Sequence, residues 1–126
     1  MKAEELMIGD WVYNTHNDQP EQVYEIGSGL VMLAYNDLYE YDEIEPIPLT
    51  AELLMQNGFE KDPETGECLL SDYDDTFEVC WIGTILTVQS GYGRMELVNC
   101  QYVHELQHAL RLCGIEKEIV FKKEWL

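Results

Sequence analysis

Five consecutive residues near the end of the chain carry the types and spacing of a metal site: His104-Glu105-Leu106-Gln107-His108. On a helix, residues four apart share a face, so two imidazoles can grip one zinc. The glutamate between them can then act as general base on a metal-bound water. That chemistry needs a third ligand. Downstream of His108 there is no histidine, and the only acids are Glu116, Glu118 and Glu124 within the last 18 residues.

The helix that would carry these side chains turns about 100° per residue. With Tyr102 set at zero, Val103, Leu106, Ala109, Leu110 and Cys113 fall within roughly 60° of one centre and form an apolar face. His104, Arg111 and His108 fall at roughly 200°, 180° and 240°, on the opposite side. Arg111 on that side disfavours a dication. The pattern reads as surface histidines on an amphipathic helix, with no metal or cofactor implied. The alternative is a minimal zinc-dependent hydrolase with His104 and His108 as ligands and Glu105 as base.

Other chemistries fit less well. Asp72-Tyr73-Asp74-Asp75 opens like a calcium loop, but Phe77 stands at the glycine position and Gly83 at the bidentate acid. A hairpin turn is expected there. Gly91-Tyr92-Gly93 lacks the third glycine of a dinucleotide fingerprint, and no phosphate-binding loop or nucleophile elbow is present. Cys68, Cys80, Cys100 and Cys113 are spaced 12, 20 and 13 apart, a pattern without a zinc signature. They read as buried free thiols. Asp10 and Trp11 sit where a small barrel carries a cleft, with Trp11 read as core.

The strongest surface signal lies between residues 35 and 45. Tyr35, Tyr39 and Tyr41 alternate with Asp37, Glu40, Asp42, Glu43 and Glu45. Tyrosine beside carboxylate suits a basic, partly apolar partner. A solvated edge strand protected by charge has the same composition. Tyr39, Tyr41, Glu40 and Asp42 are the candidate binding residues.

The whole chain shares that sign. Of its 126 residues, 25 are acidic and seven basic, giving a net charge of −18. Residues 1–50 hold 11 acids against Lys2 alone. Such a field repels nucleic acid and anionic membrane and favours basic protein partners, though solubility is served equally. The only basic pair is Lys122-Lys123. The N-terminus lacks the basic and apolar regions of a signal peptide, and no apolar run reaches membrane-spanning length. A cytoplasmic location is expected. The size suits one domain or two small subdomains on a shared core.

The elements that must position these residues follow from turn and cap signals. Strands are expected at Leu6 to Tyr13, bent at Gly9-Asp10, at Glu21 to Ile26, at Leu30 to Tyr35, and at Tyr39 to Glu45. Turns at Gly27-Ser28-Gly29 and Asn36-Asp37 make them a meander of the SH3-like kind. After Pro46 and Pro48, Thr50 caps a short helix, Ala51 to Asn57, which Gly58 stops. Strands are then expected at Cys68 to Ser71, Thr76 to Ile82, Thr84 to Gln89 and Met95 to Val98. A helix from Gln101 to Cys113 follows, with Asn99 as cap and Gly114 as stop, and a last strand at Ile119 to Phe121. The expected fold is α+β: an SH3-like antiparallel subdomain over residues 1–48, then an α-β-β-β-β-α subdomain over 49–126, forming one compact unit.

The chain resembles a family of short uncharacterised proteins from anaerobic gut bacteria and their phages and other mobile elements. The resemblance rests on Met1-Lys2-Ala3-Glu4-Glu5-Leu6 with Ile8-Gly9-Asp10-Trp11-Val12, on Pro46-Ile47-Pro48-Leu49-Thr50 with Leu53-Leu54 and Gly58-Phe59-Glu60, and on Tyr102 to His108. It implies a compact α+β protein with no assigned activity. In that family the last segment reads His-Gln-Leu-Gln-Asn, so Glu105 and His108 are the departing positions. The expectation is a non-enzymatic protein-interaction module of mobile-element origin, in its sharpest form a mimic of nucleic acid that fills a basic groove on a protein. Oligomeric state is left open.

Overall fold

The computed structural model describes residues 1–34 and 37–121. Tyr35, Asn36, Lys122, Lys123 and Glu124, invoked above, lie outside the described residues. The fold is α+β, with two antiparallel five-stranded sheets and two α-helices. The chain divides into two compact units. One holds Met1–Pro48 with Tyr102–His104 and Phe121, and the other holds Leu49–Gln101 with Glu105–Val120.

In the first unit, strands β1 (Trp11–Asn14), β2 (Gln19–Ile26), β3 (Leu30–Leu33), β4 (Asp37–Glu40) and β5 (Ile44–Glu45) form a curled half-barrel of the SH3-like kind. Their order is β4-β3-β2-β1-β5. Alternation sends Val12, Val23, Val31, Leu33, Tyr39 and Ile44 into one core. The first strand begins later than expected because Met7 to Asp10 is a tight turn. Asp10 closes it by accepting the Met7 N–H at 2.8 Å, and Gly9 takes the left-handed φ of 95°. The expected strand from Tyr39 to Glu45 is also broken. Tyr41–Glu43 forms a single 3₁₀ turn, because the Glu43 carboxylate accepts the Glu40 N–H at 2.9 Å. The chain thereby leaves β3 and returns as β5 alongside β1.

In the second unit, α1 (Ala51–Gln56) starts at Thr50, whose Oγ1 accepts the Leu53 N–H at 3.2 Å. It ends in a Schellman motif: the Phe59 N–H reaches Leu54 O at 3.0 Å and Gly58 N–H reaches Met55 O at 3.2 Å. Strands β6 (Glu60–Lys61), β7 (Cys68–Ser71), β8 (Phe77–Ile82), β9 (Ile85–Ser90) and β10 (Gly93–Leu97) then form a meander in sequential order. Helix α2 (Val103–Leu112) ends in the same motif, with Ile115 N–H on Leu110 O and Gly114 N–H on Arg111 O. The Ser90 hydroxyl, at the end of β9, donates to the Cys113 carbonyl and ties that helix end to the second sheet.

Two local expectations fail in this unit. Asn99 does not cap α2; it sits at a left-handed φ of 66°, its side chain bonded to the Thr84 hydroxyl. The Glu105 carboxylate accepts the Gln101 N–H at 3.1 Å instead. No strand forms at Ile119 to Phe121, because the Val120 backbone is held by the side chain of Asn57.

Candidate functional site

The acidic stretch occupies β4, at one edge of the half-barrel, and the 3₁₀ turn after it. The register sets Leu30 opposite Glu40, Val31 opposite Tyr39 and Met32 opposite Leu38. Side chains alternate across the strand, so Tyr39 points inward while Leu38 and Glu40 point outward.

Tyr39 is buried in the core. Its hydroxyl accepts from Asn17 Nδ2 at 2.9 Å, and the His16 ring lies 5.9 Å away. Behind it runs a buried polar network. Asn14 Nδ2 donates to both Glu21 oxygens at 3.1 Å, and Asn17 Nδ2 to Glu21 Oε1 at 3.0 Å. Tyr41 is half-buried, its hydroxyl donating to the Gly27 carbonyl. Both rings are thus anchors of the scaffold. Glu40 and Asp42 are exposed.

The anchors fix a compact negative corner. Glu40, Asp42 and Glu43 each place a carboxylate oxygen within 4.8 Å of the others. The His16 Nδ1 lies 3.8 Å from Glu43 Oε2. Like charges at such separations repel, so the corner favours any cation that approaches it. Beside it, on the outer face of the same sheet, is an open cleft of about 370 Å³ whose floor is Leu30, Met32 and Leu38. A second open cleft, of about 530 Å³, lies over β1 and β2 and includes Ile8, Trp11, Pro20 and Tyr24. Trp11 is half-buried there, its ring 5.0 Å from that of Phe121. The sequence pointed to a cleft at Asp10 and Trp11, although it read Trp11 as core; it missed the cleft over Leu30, Met32 and Leu38, which depends on which side of a strand an apolar residue faces.

The H-E-x-x-H segment lies on α2 as expected, but not as a surface pair. His104 is buried at 7% exposure and stacks on Tyr102, with ring centroids 5.9 Å apart and planes at 15°. His108 is half-buried, and Glu105 is engaged at the helix start. Among the described residues, the one set of three or more His, Cys, Asp or Glu side chains close enough to share an ion is Glu40, Asp42 and Glu43.

The calcium-like segment is a turn, with Asp72 accepting the Thr76 N–H at 2.6 Å; the Thr76 hydroxyl on its carboxylate holds Asp72 below the usual carboxylate range. All four cysteines are free. Burial, then the Glu67 carboxylate that accepts its S–H, pushes the Cys80 thiol up to about 12. Burial also pushes Cys100 up to about 12. Neither offers a thiolate near neutral pH. Among the described residues, no helix is long and apolar enough to cross a membrane.

No protein-family model, no curated protein and no solved structure matches this chain.

Proposed function

We propose that the chain is a non-enzymatic interaction module of the cytoplasm, of mobile-element origin, that binds a protein with a basic surface. Glu40 and Asp42 on the acidic corner make the contact, and Tyr39 and Tyr41 hold that corner in place. The observation that carries this reading is the clustering of the Glu40, Asp42 and Glu43 carboxylates, with the Met1 ammonium, on the Tyr41 and Ile44 carbonyls, as a single positive charge beside their turn and no lysine or arginine nearby in sequence. Lys2 is the only such residue in the first 50. Charged rims of this kind steer association and select partner sign.

A zinc hydrolase on His104, His108 and Glu105 is less well supported. The glutamate that would serve as base spends an oxygen on the Gln101 N–H, and the His104 ring is buried against Tyr102.

The test compares wild type with the charge-reversed pair E40K/D42K and with a control pair, E64K/D74K, which changes net charge equally on the second unit. A partner bound by wild type should be lost by the first pair, kept by the second, and released as salt rises and the screening length falls below about 10 Å. Equal binding by all three proteins would refute the reading.

A further inference from the structure

We infer that the cleft beside the acidic corner is an anchor pocket, so that the ligand is a basic amphipathic protein segment: one large apolar side chain flanked by lysines or arginines. The inference rests on the acidic docking reading above and adds the apolar half of the recognition.

Alternation should put polar residues on the solvent face of a sheet whose other face is core. Here the outer face breaks that rule at the second cleft, around Trp11 and Tyr24, and again at the edge formed by β3 and β4. Leu30 is 42% exposed and Leu38 is 56% exposed, with Met32 half-buried between them. Met32 and Leu38 are direct partners across β3 and β4. β4 pairs only with β3 among the described residues. An exposed leucine at a sheet edge is a liability unless something covers it.

Charge says what covers it. Strand β2 carries a bulge at Tyr24, so that Val23 pairs with Leu33 but Glu25 pairs with Met32. Without that extra residue, Glu25 would face the core and Ile26 the solvent. The bulge therefore sets a carboxylate on one flank of the apolar floor. Glu40, opposite Leu30, sets another on the second flank. Both are exposed. An apolar floor between two carboxylates matches an apolar side chain between two cations. A neutral or acidic apolar segment would gain the floor but meet repulsion or stranded charge at both flanks.

The probe is a fluorescein-labelled peptide in which phenylalanine is flanked on each side by three lysines. It is compared with the same peptide carrying glycine in place of phenylalanine, and with one carrying glutamates in place of the lysines. The phenylalanine–lysine peptide should bind about 10-fold tighter than the glycine peptide, as burial of one aromatic ring implies. The glutamate peptide should not bind. Leu38→Ser should abolish the 10-fold preference, while Met55→Ser on α1, an equally exposed apolar site, should leave it intact. Equal affinity for the phenylalanine and glycine peptides, unchanged by Leu38→Ser, would overturn the anchor pocket and leave the acidic docking reading standing. Absence of salt-sensitive binding by either lysine peptide would overturn both.

Discussion

The side chain of Asn57 pairs with the backbone of Val120 as one strand residue pairs with another. Its Oδ1 accepts the Val120 N–H at 2.9 Å, and its Nδ2 donates to the Val120 carbonyl at 3.2 Å. The same Nδ2 donates to Leu53 O at 2.9 Å, so one buried carboxamide closes α1 and fixes a segment 63 residues downstream. Asn57→Ala removes these bonds and leaves the Val120 N–H and carbonyl without their side-chain partner, while the Leu53 carbonyl keeps the Asn57 backbone N–H. Destabilisation of about 1–2 kcal/mol is expected in urea unfolding, with the slope unchanged. Asn57→Asp keeps the acceptor and loses both donors, so it should fall at least as far.

Gly58 and Gly114 end their helices with the same left-handed geometry, at φ 95° and 71°, but their surroundings differ. A Cβ at Gly58 meets nothing closer than 3.6 Å, whereas at Gly114 it would sit 2.6 Å from the ring of Tyr92. Gly58→Ala should cost about 1 kcal/mol, the backbone penalty alone. Gly114→Ala should cost more. In a Tyr92→Ala background its cost should drop to that of Gly58→Ala, a coupling that a double-mutant cycle on melting temperature reads directly.

Both helix stops, the Thr50 cap and the SH3-like meander were legible because each is written in residues adjacent in sequence. The Asn57–Val120 pairing was not, since nothing local distinguishes a carboxamide that caps a helix from one that also captures a distant strand-like segment. The break after Glu40 was hidden for a related reason. Tyr39 to Glu45 alternates like one strand, and only the reach of Glu43 back to the Glu40 N–H turns it. The burial of His104 escaped the helical wheel because a wheel counts one helix and omits Tyr102 stacked beside it. Glu40 and Asp42 were legible as surface acids. The apolar cleft beside them was not, because the bulge at Tyr24 resets which residues face outward.

The thiols should behave as inert groups. With Cys80 and Cys100 at about 12 against an ordinary 9, both stay protonated in the folded chain while the unfolded chain ionises. Stability from these groups is thus fully present below pH 9 and is lost as pH rises from about 9 toward 12. Urea unfolding at pH 7, 8 and 10.5 should show nearly equal midpoints at the first two and a lower one at the third. Glu67→Gln removes the negative charge beside Cys80 and should speed its alkylation by iodoacetamide at pH 9, with Cys100 unaffected.

The flanking carboxylates of the cleft should act independently of its floor. Glu25→Gln should weaken the phenylalanine–lysine and glycine–lysine peptides by the same factor, of order 3-fold, because it changes charge and not apolar area. Leu38→Ser should weaken only the former. Fluorescence anisotropy with both peptides on both variants separates the two contributions.

The most direct measurement is calorimetric titration of the phenylalanine–lysine peptide into wild type, E40K/D42K and E64K/D74K, at low and at physiological salt. Wild type and E64K/D74K should bind alike and weaken together as salt rises. E40K/D42K should lose at least about 10-fold at low salt and show a shallower dependence on salt than the other two proteins. Equal losses in the two charge-reversed proteins would mean that total charge, and not the corner built by Glu40 and Asp42, does the binding, and would contradict the account.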